Sequence, residues 1–198
     1  MKCLLKRKAK KMSCKFTRTS LPEILVIESQ VFKDSRGFFM EVFHQKKYAE
    51  AGIDHIFVQD NCSHSKKNTI RGLHYQLHHP QAKLVYVITG EIYDVAVDIR
   101  RGSPTFAKWA GVHLSAENKR QLFIPEGFAH GFCVLSETTD VMYKCSDLYD
   151  PDDDCGILWS DSTIGIDWQI DTPIVSEKDS RHPELKAVSE SLLPVFNG

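Results

Sequence analysis

The chain has 198 residues, 42% apolar and 26% charged, which is enough for one domain with a single core and too little for two of average size. No apolar run approaches the roughly 18 residues of a membrane span, and the composition excludes the disordered and fibrous classes. The net charge of −1 conceals a split, because the first 18 residues carry eight Lys and Arg and no acid, leaving the rest at −9.

That basic start lacks the apolar stretch of a secretory signal and is too short for broad phosphate binding, so neither a nucleic-acid nor a membrane partner is expected. Residues 1–20 are read as a disordered basic tail, with 1–11 an upstream extension before Met12, and 21–198 as one domain ending in a C-terminal arm. Six cysteines form no C-x-x-C pair, which favours reduced thiols and a cytoplasmic location.

In chain order, Ile24 to Phe32 and Gly37 to Phe43 alternate apolar and polar residues across the turn signal Asp34-Ser35-Arg36-Gly37, predicting two strands. Gln45 to Ala51 has helix-forming composition stopped by Gly52, and Ile56 to Gln59 predicts the next strand. Leu84 to Ile88, the turn Thr89-Gly90-Glu91, and Tyr93, Val95, Val97 and Ile99 at period two predict a hairpin with a buried face. Phe106 to Leu114, Gln121 to Ile124, Phe132 to Leu135 and Val141 to Cys145 follow as short strands, and Ile157 to Trp159 as a further apolar piece. Ser176 to Asp179 reads as a helix start. Regular short strands imply an all-β barrel or sandwich, here a jelly roll of antiparallel strands with a few short helices at the ends.

Pro125-Glu126-Gly127-Phe128-Ala129-His130 is a P-x-G-x-x-H sequence whose turn aims the histidine into a barrel interior, and it resembles the second motif of the cupins. Metal-binding cupins place two His at H-x-H spacing in the first motif. Here that place reads Arg71-Gly72-Leu73-His74-Tyr75-Gln76, with Gln76 where a second ligand would stand, so no catalytic metal and no cofactor are expected.

Four stretches carry a more specific resemblance: Arg71 to Gln76, Gly90 to Arg100, Ser103 to Phe106 and Leu114 to Phe132. Together they resemble the dTDP-4-dehydrorhamnose 3,5-epimerase family over about residues 21 to 185. The family fold is a cupin-type jelly roll, and its substrate is a nucleotide-linked 4-keto-6-deoxyhexose. Inversion beside a ketone needs one group to remove a proton and another to deliver one to the opposite face. The resemblance gives His74 the role of base, which an imidazole titrating at about 6.5 suits. It gives Lys83 the stabilisation of the enolate, Tyr143 the delivery of the new proton, and Asp179 the orientation of His74. It places Arg36, Glu41, Gln59, Asp60, Asn61, Arg71, Lys83, His130, Tyr149, Asp154 and Lys178 at substrate-binding positions, with Tyr149 near the thymine and Asp154 one methylene shorter than the family glutamate. It also implies a homodimer in which the N-terminal strand crosses to the partner sheet.

Each residue taken singly has an ordinary structural alternative. His74 reads as a satisfied histidine, Tyr143 as a core tyrosine, Lys83 as a strand-edge charge and Asp179 as the N3 residue of a capping box with Ser176. Arg36, Arg71 and Lys178 read as surface charges, Glu41 as a solvent-face residue and Gln59 to Asn61 as a strand end and polar turn. Only the joint match favours chemistry. The expected activity is conversion of dTDP-4-dehydro-6-deoxy-D-glucose to dTDP-4-dehydro-L-rhamnose. The alternatives are a single-carbon epimerase on a related nucleotide sugar, a metal-dependent cupin enzyme, and a binding module without chemistry.

Overall fold

The computed structural model describes residues 13–198, and within them the chain is built almost wholly from antiparallel strands. One six-stranded sheet runs in the order β1 (Cys14–Arg18), β2 (Leu25–Ser29), β10 (Arg120–Ile124), β7 (Lys83–Thr89), β12 (Thr138–Cys145), β5 (Gln59–Lys66). The facing five-stranded sheet runs β13 (Asp154–Gly156), β6 (Ile70–Gln76), β11 (Phe128–Val134), β8 (Glu91–Asp98), β9 (Trp109–Ser115). A separate hairpin pairs β3 (Val31–Asp34) with β4 (Gly37–Met40). This is the expected jelly roll.

Three apolar clusters hold it together. Val85, Val87, Ile92, Ala96, Leu114, Leu122, Phe132 and Val141 interdigitate between the sheets. The outer face of the five-stranded sheet carries Tyr93, Val95, Val97 and Ile99, the period-two set seen in the sequence, under Ile157, Ile164, Trp168, Leu185 and Leu193 of the C-terminal arm. Helix α1 (Gln45–Glu50) lays Tyr48 on Ile27, Leu84 and Phe123 of the other sheet. Every residue of β8 except Glu91 is buried, as befits a strand covered on both faces.

Several elements depart from expectation. The expected tail lies outside the described residues up to Lys11 and Met12, but Cys14–Arg18 forms β1, an edge strand paired with β2. Its alternation of Cys14 and Phe16 with charged neighbours supports a half-buried edge, with Cys14 and Phe16 packed near Ile27. β7 and β8 are not a hairpin, since Gly90, at φ +78, turns the chain from one sheet to the other, so that Val85 and Val87 of β7 meet Ile92 and Ala96 of β8 across the core while Tyr93, Val95 and Val97 face outward. Ile56 and Val58 are exposed ahead of β5, so the strand begins only at Gln59. β9 begins at Trp109 because Phe106 and Ala107 turn, with Ala107 at φ +63.

The family-like stretches around Asp98 are structural. Asp98 accepts from Arg100 Nε and Nη2, Ser103 Oγ and Thr105 Oγ1 at 2.5–2.9 Å, a set that fastens the turn after β8. Burial acts to raise the Asp98 carboxyl, yet Arg100 and the two hydroxyls hold it below its ordinary value. Among the described residues, the five cysteines are free thiols and no helix is long and apolar enough to cross a membrane.

Candidate active site

Directly opposed residues on neighbouring strands share a face, so strand register determines what lines the space between the sheets. On the six-stranded side, Lys83, Cys145 and Gln59 make one row, and Val85, Tyr143 and Asn61 the next. On the five-stranded side one row reads Gly156, His74, His130, Ala96 and Ala110. Small residues flank the two histidines, and the histidines face Lys83 and Tyr143 across the gap.

The gap is a cleft of two connected chambers. One, of about 470 Å³, is lined by Ser63, Arg71, His74, Lys83, His130, Phe132, Tyr143, Lys178 and Asp179. The other, of about 280 Å³, is lined by Gln59, Asn61, His74, Gln76, Lys83, Tyr143, Tyr149 and Asp154. His74, Lys83 and Tyr143 belong to both, so the three groups converge on one space.

His74 Nε2 lies 2.8 Å from Asp179 Oδ1. An ionised carboxylate only accepts, so Nε2 carries the hydrogen and Nδ1 holds the basic lone pair, with no hydrogen-bond partner among the described residues. Asp179 is 4% exposed and also accepts from the Gly72 N–H at 3.2 Å. Burial acts to raise its carboxyl, but His74 and the Gly72 N–H hold it below the usual carboxylate range. The capping reading of Asp179 is half realised. Its backbone N–H donates to Ser176 Oγ at 3.0 Å, starting helix α2 (Glu177–Ser180), while its carboxylate turns to His74.

Lys83 opens β7, and burial pushes its ammonium below the ordinary lysine value. The Tyr143 phenol is raised, again chiefly by burial, and is held in its protonated form at neutral pH. Arg71 donates from Nε to Ser65 Oγ at 3.0 Å, and Tyr149 donates to Asp154 Oδ2 at 2.7 Å. Asp154 also accepts from Lys178, tying α2 to β13 at the mouth of the smaller chamber.

Not every expected site residue lines this cleft. Asp60 points to the outer face and pairs with Lys144 at 2.9 Å. Arg36 forks onto Asp34 at the tip of the β3–β4 hairpin, and Glu41 pairs with Lys47 at 2.5 Å. Gln76 is a clamp, donating to His79 and Leu148 carbonyls and accepting from the Asp150 N–H.

Three residues escaped the sequence reading. Asp94, fully buried, accepts from His130 Nε2 at 2.9 Å, and a buried acid inside the apolar run Tyr93 to Val97 was its signal. Asp153 accepts the N–H groups of Leu77, His78 and His79 at 2.8–3.1 Å, which shapes the loop leading to Lys83. His182 packs edge-on to His74 with centroids 5.8 Å apart; burial pushes its imidazole pKa down, and the neighbouring His74 adds to this. Nothing in its local sequence distinguishes it from a surface histidine.

A jelly-roll barrel gathers a His–Asp pair, a half-buried lysine and a half-buried tyrosine around one polar cleft, which is a cupin-type scaffold carrying groups able to take and give protons. Residues 18–187 match the model of the dTDP-4-dehydrorhamnose 3,5-epimerase family. The chain is 57% identical over 164 residues to dTDP-4-dehydrorhamnose 3,5-epimerase of Shigella flexneri, covering 82% of this chain and 91% of that one. Against the enzyme of Methanothermobacter thermautotrophicus it is 51% identical, covering 87% and 95%. A crystal structure of dTDP-6-deoxy-D-glucose-3,5-epimerase from Legionella pneumophila in complex with dTDP-4-keto-L-rhamnose superposes with TM-score 0.92 at 47% identity, covering 94% of this chain and all of that one. A 3'-monoepimerase from Streptomyces bikiniensis is more distant, at 31% identity and TM-score 0.85, covering 90% and 92%. The chain belongs to the dTDP-4-dehydrorhamnose 3,5-epimerase family and is an isomerase.

Proposed function

We propose that the protein inverts carbons 3 and 5 of dTDP-4-dehydro-6-deoxy-D-glucose, giving dTDP-4-dehydro-L-rhamnose. The observation that carries this is the convergence of His74, Lys83 and Tyr143 on one cleft, with Asp179 behind His74. Nδ1 of His74 takes the proton from the carbon beside the ketone, and the C–H electron pair moves into the enolate. Lys83 donates to the enolate oxygen, where charge develops. Tyr143 gives its phenolic proton to the carbon from the opposite face, and exchange with solvent resets both groups. Asp179 holds the Nε2–H tautomer and stabilises the imidazolium.

Arg71 and Lys178 supply charge for the diphosphate, with His130 beside them, while Gln59, Asn61, Tyr149 and Asp154 line the chamber suited to the nucleoside. Asp60 is held by Lys144 and would reach substrate only by releasing it. Arg36 and Glu41 do not line this chain's cleft, so the contact proposed for them is with the cleft of a second copy in a homodimer. The exposed Phe38 and Phe39 on the same hairpin, and β1 at an open sheet edge, support that assembly.

Incubation with dTDP-4-dehydro-6-deoxy-D-glucose, followed by NMR of the sugar, tests the reading. The L-rhamno configuration is expected. A product inverted at one carbon alone would assign the chain to the single-carbon epimerases instead, a reading disfavoured by the lower identity of the 3'-monoepimerase.

A further inference from the structure

His182 is not needed by the mechanism above, yet it is built into the site. Its Nε2 is buried without a hydrogen-bond partner and lies 3.9 Å from Asp179 Oδ1. The ring edge occupies space that only a glycine at 156 leaves open, since a Cβ there would come within 2.3 Å of Nε2. Gly156 is the residue paired with His74, so the absent side chain lets the two imidazoles approach the same carboxylate. One ligand atom from each of His74, Asp179 and His182 falls within 4.8 Å of the others, the single such grouping among the described residues.

We propose that His74, Asp179 and His182 form a zinc-binding site that, when occupied, takes the imidazole assigned as base out of the reaction. Two imidazoles and a carboxylate are a donor set for Zn2+, with a fourth position left to water from the cleft. Zinc at about 2.0–2.2 Å from each donor sets tetrahedral ligand separations near 3.3 Å. Two of the three donor spacings, 2.8 Å between His74 and Asp179 and 3.9 Å between Asp179 and His182, lie on either side of that value, and all three donors lie within 4.8 Å of one another. Small side-chain shifts therefore complete the site. Zinc then satisfies the orphaned Nε2 of His182 and replaces the His74–Asp179 hydrogen bond. The metal is an inhibitor here and supplies no step of the reaction.

The inhibition rests on the role given to His74, whereas the metal site does not, and the experiment separates them. Co2+ titrated into the full chain carrying Cys3→Ser and Cys62→Ser, the second of which removes the one exposed thiol among the described residues, is expected to give one equivalent of tetrahedral d–d absorption without thiolate charge transfer. Zn2+ is expected to displace it and to inhibit turnover in competition with substrate. His182→Gln should weaken Zn2+ binding by more than about tenfold, since even an outer-sphere partner is worth that much, while metal-free turnover stays near wild type. Should that variant fold poorly, 15N shifts of the imidazoles in the unsubstituted site report the same binding, with both Nε2 resonances moving on Zn2+ addition. Zinc binding that ignores His182, or no tetrahedral cobalt spectrum, overturns the site. Stoichiometric binding with undiminished turnover overturns the role of His74 and leaves the metal site standing.

Discussion

Gly72→Ala tests how the close approach of β6 and β11 builds the cleft. Gly72 lies at φ +123, a region L side chains rarely adopt, and an added Cβ would meet Gly131 Cα at 2.6 Å and the His130 carbonyl at 2.7 Å. Both obstacles are backbone, so neither can rotate away. The dihedral strain costs about 1–3 kcal/mol and the overlap about 1–3 kcal/mol more, together roughly 2–6 kcal/mol. For a chain of this size each kcal/mol lowers Tm by about 2–4 °C, so a fall of about 8–16 °C is expected at the middle of that range. Gly37→Ala is the control, with a similar φ of +131 and nothing within 4 Å of the new Cβ, so only the dihedral cost remains. Thermal denaturation of the three proteins gives the comparison. Turnover should also fall in the Gly72 variant alone, because its N–H holds Asp179 and its strand carries His74. Equal melting temperatures for the two variants would refute the claim that backbone contact here sets the site.

Asp179→Asn keeps the shape but permits the wrong imidazole tautomer, and kcat is expected to fall by about 10²–10⁴ with a smaller change in KM, measured by steady-state kinetics. Lys83→Met removes an ammonium whose pKa burial lowers. The thermal melt should rise by about 1 kcal/mol equivalent, and kcat should drop by about 10²–10³, so an unchanged kcat would remove Lys83 from the reaction. The His55–Glu126 pair, 3.1 Å apart, anchors the turn that leads to His130. Its hydrogen bond to Glu126 raises the His55 imidazole, while Glu126, despite burial, is held low chiefly by His55. The His55 contribution is therefore complete below about pH 6.5 and fades as pH rises through the raised folded value. The Glu126 contribution is lost as pH falls below about 4.5. The stability gap between wild type and His55→Gln should be wider at about pH 6 than at about pH 9, and a gap independent of pH would contradict this.

Short apolar stretches mark the strands that carry the core, because β7, β8, β10 and β12 each place apolar side chains inward, while the period-two set of β8 packs under the C-terminal arm. β5 was read only as a strand end and turn because its inward residues are Gln59, Asn61 and Ser63, two of them paired with Cys145 and Tyr143, and they line a cleft instead of a core. Its polarity reflects the site. The β7–β8 turn was misread as a hairpin for a related reason. Apolar periodicity shows that a strand is buried but not which sheet it joins, and Gly90 serves equally well at a hairpin or at a corner. Within the site, His74, Lys83, Tyr143 and Asp179 were legible only as a set matched to a family. Asp94, Asp153 and His182 act through contacts between residues far apart in the chain, such as the 36 positions separating Asp94 from His130. No local pattern encodes those.

The central claim is most directly tested by position-resolved deuterium incorporation from D2O into the nucleotide sugar, comparing wild type, His74→Ala and Tyr143→Phe. Wild type should label carbons 3 and 5, His74→Ala should label neither while melting as wild type, and Tyr143→Phe should exchange with little net inversion. Wild-type labelling at both carbons in a folded His74→Ala protein would contradict the account.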